Sequence, residues 1–334
     1  MTILKNLFSR KRNILVLGCD GMLGFDVYSR LKSMSRLADS SIGAVIGLDI
    51  KDGYDFSRPH TLGNFLDSSI RFDCCVNCIA HTDTSAAQNT KEGFLESYRL
   101  NALVPKCISE SCRHHKVRLI HISTDYVFSE KSIARPIDLV SSTDQIDVAG
   151  TEFPVNAYGT HKLIGELFLK NEFANNPSGY AILRTSWLYG SHNRKSFVHR
   201  FLKNVKSCIL ENRKIEVTQN EYSVPTSTDY LVQRIIDVLE TDACGTFNAV
   251  PNCKDALVSR RDFAESILRH LPECLNVDGM ALNDLEVLGI VRDAYQPIYS
   301  MMKSSFEDTL GWDHYLRRFI NDNASDLAQY LETA

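Results

Sequence analysis

The sequence predicts an α/β protein: a doubly wound parallel sheet, followed by a smaller and mostly helical region. Three observations predict it. Through residues 13–190, short continuously apolar runs alternate with helical patterns, as expected for strands covered on both faces. A glycine-rich turn, Gly18-Cys-Asp-Gly21-Met-Leu-Gly24, joins the first apolar run to the first helical pattern. Beyond about Ser191 the alternation weakens and helical patterns dominate.

Asn13-Ile14-Leu15-Val16-Leu17 is the first strand, and residues 22–34 form the first helix, with Leu23, Val27 and Leu31 at helical spacing. Residues 44–48 give a second strand that ends at Asp49. A helix follows Pro59, and a third strand runs through 74–79. The stretch 94–112 reads as one helix despite Pro105. Residues 117–122, 157–173 and 180–183 supply a strand, a helix and a strand. Helices at 197–208, 228–239 and 261–270 follow, and a short strand near Thr246-Phe247-Asn248 returns to the sheet. Residues 1–12 therefore read as a basic leader, 13–190 as a dinucleotide-binding domain, and 191–334 as mainly a substrate-binding region with segments rejoining the sheet. The stretch 129–154 has no periodicity and separates two polar motifs, which makes it a candidate active-site loop.

Composition narrows the function classes. With 334 residues, 44% hydrophobic and 23% charged, the chain is globular and long enough for two domains. A net charge of −4 gives no electrostatic footprint for nucleic acid. No apolar run approaches the ~20 residues of a membrane span. The leader places its apolar stretch before its charges, the reverse of a signal peptide. Ten cysteines invite a disulfide or metal reading, but several lie inside apolar runs. Cys75 and Cys78 form a C-x-x-C within a predicted strand, where they point to opposite faces, and no second pair has ligand spacing. No metal is expected. Free thiols in a reducing cytoplasm fit better.

Three motifs carry chemistry. The glycine turn follows a buried strand and opens a helix, the setting of a dinucleotide-phosphate cradle. Gly18 allows the tight turn, Gly21 lets backbone approach a pyrophosphate, and Gly24 permits close helix packing. The helix N-terminus offers free N–H groups to the anion. Asp49, at the end of the second strand, is placed to accept from ribose hydroxyls and to repel a 2′-phosphate, which favours NADH. Neighbouring Lys51 can swing in to neutralise that phosphate, so NADH and NADPH are expected to serve within about tenfold of each other. The second motif, Ser123-Thr124-Asp125, sits where open α/β sheets bind ligands, at the end of a strand. The third is Tyr158-Gly-Thr-His-Lys162, whose spacing puts phenol and ammonium on one helix face. There the ammonium is expected to lower the phenol pKa. Two further Tyr-x-x-x-Lys pairs, Tyr28 with Lys32 and Tyr299 with Lys303, lack such a neighbouring strand end and read as structural or surface pairs. Together, order and spacing point to carbonyl reduction by a nicotinamide.

Leu119-Ile-His-Ile-Ser-Thr-Asp-Tyr-Val-Phe128, Pro154-Val-Asn-Ala-Tyr-Gly-Thr-His-Lys-Leu-Ile-Gly-Glu166 and Leu183-Arg-Thr-Ser-Trp-Leu-Tyr189 closely resemble the dTDP-4-dehydrorhamnose reductase family. These are extended short-chain dehydrogenase/reductases of nucleotide-sugar metabolism, with a Rossmann fold. The resemblance runs from about Asn13 to Thr226 and is looser in the tail. It implies reduction of the C4 ketone of a nucleotide-activated 6-deoxy-hexose by NADPH or NADH, in dTDP-rhamnose and polysaccharide biosynthesis. A nucleotide-sugar substrate and a homodimer are the partners it suggests. Carried over, it makes Tyr158 the proton donor, Lys162 its activator and nicotinamide-ribose ligand, and Thr124 the third catalytic residue. Thr124, Asp125 and Trp187 would line the sugar pocket. Gly18, Gly21, Met22, Leu23, Asp49, Asp55, Phe56, Ala80, His81, Thr82, Ile122, Tyr158 and Lys162 would contact cofactor. The chain departs from the family at Asp83-Thr84-Ser85-Ala86-Ala87-Gln88 and within residues 218–226. Those departures keep open a UDP- or GDP-linked keto sugar. A non-catalytic relative, such as a methionine adenosyltransferase regulatory subunit, is the other alternative.

Overall fold

The computed structural model describes residues 10–128, 154–192, 195–253, 257–271, 276–277, 280–281, 285–291 and 295–331. Most of the leader and of the 129–154 loop lies outside the described residues. The chain divides into two compact units. The first holds the described residues within Met1–Val127, Asn156–Arg184 and Val232–Phe247, and the second those within Phe128–Val155, Thr185–Leu231 and Asn248–Ala334.

In the first unit β1 (Arg12–Leu17) leads into α1 (Met22–Met34), β2 (Ile42–Leu48), α2 (Thr61–Ser68) and β3 (Cys74–Asn77). Then come α3 (Thr84–Asn89), α4 (Lys91–Tyr98), α5 (Val104–His114), β4 (Arg118–Thr124), α6 (Ala157–Glu172) and β5 (Tyr180–Thr185). The helix α7 (Thr228–Thr241) and the strand β6 (Gly245–Asn248) complete the sheet. Its order is β2-β1-β3-β4-β5-β6, and β1 pairs in parallel with both β2 and β3, as β3 does with β4. The expected doubly wound sheet is present, and the short strand through Thr246-Phe247-Asn248 does rejoin it. Ile14, Leu15, Val16 and Leu17 are fully buried because β1 is covered on both faces. The connection from β1 runs to β2 on one side and that from β3 to β4 on the other, so the ends of β1 and β3 flank a switch point, where such sheets form a ligand crevice.

Gly24 shows how tightly α1 meets the turn. A Cβ there would lie 1.9 Å from the Gly18 carbonyl oxygen, a backbone atom that cannot rotate away. Gly18 itself has φ +78°, which excludes most other residues. We expect Gly24→Ala to cost about 3 kcal/mol or more, the upper range of overpacking. A thermal unfolding midpoint within a degree of the wild type would contradict this.

One predicted helix is broken. Residues 94–112 fall into α4, a π-helical turn at Arg99–Leu103, and α5. Pro105 has no N–H and its ring crowds the carbonyl four residues back, on Asn101. The chain responds with a wider turn, in which the Val104 N–H bonds to the Arg99 carbonyl. The released Asn101 carbonyl faces α6 at Gly165, where a Cβ would lie 2.2 Å from it.

The second unit is mostly helical. Helices Phe197–Leu210, Arg260–His270 and Trp312–Asp322 enclose a core of Val198, Phe201, Leu202, Phe263, Ile267, Leu316 and Ile320. Ile215–Thr218 pairs in parallel with Val287–Ile290, and Leu188–Tyr189 with Thr226–Ser227. Among the described residues no helix is long and apolar enough to cross a membrane.

Candidate active site

Four segments of the first unit carry predicted residues: the glycine turn after β1, the end of β2, the loop after β3, and the end of β4 with the start of α6. Gly21 is the extended N-cap of α1, Met22 its first residue, and Leu23 is buried beneath it. The Gly18 carbonyl accepts from the Gly21 N–H at 3.1 Å, which closes the turn. Asp49 has both carboxylate oxygens anchored by backbone: Oδ1 accepts from the Ile50 N–H at 2.7 Å and Oδ2 from the Asp20 N–H at 3.2 Å. Lys51 is not a loose neighbour. Its ammonium lies 2.6 Å from the Asp20 carboxylate.

Asp55 and Phe56 play local parts. The Asp55 carboxylate accepts from the Ser57 hydroxyl at 2.6 Å and from the Arg99 guanidinium at 3.0 Å. The Ser57 hydrogen bond leads in holding its pKa below the ordinary carboxylate value. Phe56 is buried in the core and stacks on Tyr54 at 5.9 Å. Its ring therefore serves packing, which its apolar character alone already allowed.

After β3, the Ile79 N–H donates to Asn77 Oδ1 at 3.0 Å. Asn101 then clamps the next residues: its amide donates to the His81 carbonyl at 3.0 Å and accepts from the His81 N–H at 3.1 Å. The segment Ala80-His81-Thr82 is thereby tied to the π-helical turn. The departure that follows has structural uses. Asp83 caps α3 by accepting from the Ala86 N–H at 2.8 Å, and Gln88 accepts from the Ala157 N–H at 2.9 Å. Ala157 is the residue before Tyr158, and Asn156 caps the same helix through the Gly159 N–H at 2.8 Å. Asn101 and Gln88 escaped sequence reasoning because their partners are distant in the chain.

At the end of β4, the Thr124 hydroxyl donates to Asp125 at 2.9 Å and also hydrogen-bonds the Tyr158 phenol. Tyr126 meets the Tyr158 ring edge-on at 5.8 Å. Burial pushes the phenol above its ordinary pKa; the Thr124 bond pulls it back, and the Asp125 charge pushes it up again. Lys162 is not among the groups that shift it. The Lys162 ammonium is buried and donates instead to the Ile122 carbonyl at 2.7 Å. Burial brings its own pKa down to about 8, against the upward pull of Glu166 and Cys78. One turn further, Glu166 meets Arg184 through two hydrogen bonds, 3.0 and 2.7 Å, with both side chains buried. The other two Tyr-x-x-x-Lys pairs have different uses. Lys32 donates to the Val45 carbonyl at 3.2 Å, and Tyr299 stacks on Tyr222 at 4.9 Å.

Trp187 belongs to the second unit. Its backbone is held at φ +36°, an uncommon value for a bulky residue. The Arg260 guanidinium lies 3.6 Å over its ring, and Phe263 stacks beside it at 6.3 Å. Cys19, Cys74, Cys75, Cys78, Cys107, Cys112, Cys208, Cys244 and Cys253 are free thiols.

A family model described as the RmlD substrate binding domain matches residues 12–322. The chain is 28% identical over 240 residues to a dTDP-4-keto-6-deoxy-D-glucose reductase of Streptomyces niveus, covering 70% of this chain and 71% of that one. It is 28% identical over 222 residues to a dTDP-4-dehydrorhamnose reductase of Shigella flexneri, covering 66% of this chain and 64% of that enzyme, just under two thirds of its length. A crystal structure of a dTDP-4-dehydrorhamnose reductase from Clostridium acetobutylicum is similar with TM-score 0.73 and 27% identity, over 92% of this chain and 98% of that one. With the family model spanning residues 12–322, the chain belongs to the RmlD substrate-binding-domain family.

Proposed function

We propose that the protein reduces the C4 ketone of a nucleotide-activated 6-deoxy-4-keto-hexose with NADPH or NADH, as its dTDP-sugar reductase relatives are named for doing. The observation that carries this reading lies at the end of β4, where Thr124 meets the Tyr158 phenol and the Lys162 ammonium meets the Ile122 carbonyl two residues before it. The glycine turn fits a dinucleotide, since side chains at Gly18 and Gly24 are excluded and α1 begins at the turn. A reduced nicotinamide, when bound, supplies the hydride that the carbonyl carbon accepts.

The residues supply the rest. Tyr158 protonates the oxygen that becomes an alkoxide, and its raised pKa keeps that proton in place until the alkoxide forms. Thr124 has one hydroxyl proton, given to Asp125 at rest, so it must rotate to donate to the developing oxyanion. A positioned donor of that kind contributes about 3 kcal/mol. Lys162 keeps positive charge beside this site and would hold the nicotinamide ribose, the role that the family resemblance implies. Trp187, with Arg260 on its ring, is a proposed sugar contact on the strength of the family resemblance alone. The free thiols suit a reducing cytoplasm.

A buried ammonium with a pKa near 8 makes two measurements move in opposite directions. As pH rises through about 8, Lys162 loses its charge, and kcat/KM should fall. Stability should change the other way. The folded protein holds Lys162 at about 8 and the unfolded chain at 10.5, so the unfolded state binds more protons between them. Stability therefore gains on the order of 3 kcal/mol from this group across that window, and loses it as pH falls through about 8. Lys162→Met should remove both trends. An activity limb and a stability slope identical in Lys162→Met would place Lys162 outside the site.

The function is tested by incubating the protein with NADPH or NADH and 4-keto-6-deoxy sugars linked to dTDP, UDP or GDP, following loss of nicotinamide absorbance. Turnover of a dTDP-linked ketone supports the reading. Turnover confined to UDP or GDP sugars moves the substrate class. Cofactor binding without turnover on any of them points to the non-catalytic alternative.

A further inference from the structure

We infer that Asp20 selects the cofactor: it ties up Lys51 and places a second carboxylate beside Asp49, turning the ribose end of the glycine turn against a 2′-phosphate. The inference rests on the reading of this turn as an NAD(P)H site and adds a residue that the fingerprint leaves free. Asp20 occupies a variable position inside Gly18-Cys-Asp-Gly21. Its backbone N–H donates to Asp49 Oδ2, while its side chain pairs with Lys51 at 2.6 Å. A carboxylate oxygen of Asp20, one of Asp49 and the Cys19 sulfur all lie within 4.8 Å of one another. Asp52 adds a third carboxylate, accepting from the Asp49 N–H at 2.8 Å. The Lys51 ammonium thus answers two carboxylates, Asp20 in contact and Asp52 nearby.

Asp49 keeps lone pairs beyond its two backbone bonds, so it can accept from ribose hydroxyls. A 2′-phosphate offers no such donor and brings negative charge instead. Lys51 can meet that phosphate only by leaving Asp20, which withdraws its charge from the Asp20 carboxylate beside Asp49. The pair is exposed, so its tether alone is worth no more than about fivefold. The like charge left behind adds to it. With Lys51 held, preference for NADH moves beyond the tenfold expected of a freely swinging lysine.

The test is equilibrium binding of NADH and NADPH, read by nicotinamide fluorescence without any sugar substrate. Wild-type protein should bind NADH at least about tenfold more tightly than NADPH. Asp20→Asn should narrow that gap at least about fivefold by tightening NADPH binding, and adding Lys51→Met should take the gain back. Asp20→Ser should behave like Asp20→Asn, which separates charge from any local misfolding of one variant. An unchanged NADPH/NADH ratio in both Asp20 variants, or a gain that survives Lys51→Met, overturns the inference while leaving the reductase reading intact. Failure of the wild type to bind either cofactor overturns both.

Discussion

Tyr158→Phe should lower kcat by ~10²-fold or more while leaving the Kd for NADPH and NADH nearly unchanged. The ring loses only its hydroxyl, and its edge-on packing with Tyr126 at 5.8 Å does not depend on that group. What disappears is the proton that the alkoxide must receive. The neighbouring Thr124 hydroxyl cannot substitute, because its proton is given to Asp125 and its intrinsic acidity is far below that of a phenol. Single-turnover kinetics with saturating cofactor separates the chemical step from binding. Retention of more than about a tenth of the wild-type rate would refute the assignment of Tyr158 as the acid.

The largest expected loss of stability lies at Glu166. Both it and Arg184 are buried, and burial by itself raises the Glu166 pKa. The Arg184 charge and hydrogen bonds outweigh this and hold the carboxyl down to about 2. Glu166→Gln leaves a buried guanidinium facing a neutral amide, a change that typically costs about 3–5 kcal/mol. Replacing both residues with Met should recover much of that loss, because desolvating the pair consumes most of what their attraction provides. Denaturant titration of the three variants decides it. A Glu166→Gln protein as stable as the wild type would show that Arg184 has an adequate second partner. The pH dependence has a definite sign. The folded pKa is about 2 and the ordinary one 4.5, so the stabilisation is complete above 4.5 and is lost as pH falls through about 2. Glu166 also raises the pKa of Lys162, so Glu166→Gln should move the alkaline limb of activity to lower pH.

The sheet and the glycine turn were legible because their signals are local. Ile14 to Leu17 form an unbroken apolar run, and Leu23, Val27 and Leu31 repeat with the helical period. The Tyr158 and Lys162 pair was legible for the same reason, being four residues apart on one helix. What Lys162 does was not. Its choice of the Ile122 carbonyl depends on how β4 and α6 pack, which no spacing within α6 records. The salt bridges of Asp20 with Lys51 and Glu166 with Arg184, and the clamp of Asn101 on His81, join residues brought together only by folding. Burial of the Phe56 ring beside Tyr54 leaves only its backbone for the cofactor contact that the family motif implies.

The π-helical turn at Arg99–Leu103 sets a phase relation as well as a kink. Each α-helical residue turns the chain by about 100°, and the wider turn inserts one residue without a matching advance. The outward directions of α4 and α5 are therefore offset relative to an unbroken helix, and no single helical wheel describes both. Removing one residue from this segment restores a common phase and swings Asn101 about a third of a revolution away from His81. The number of residues between Tyr98 and Val104 is thus more constrained than their identity, and relatives should tolerate substitutions there more readily than insertions or deletions.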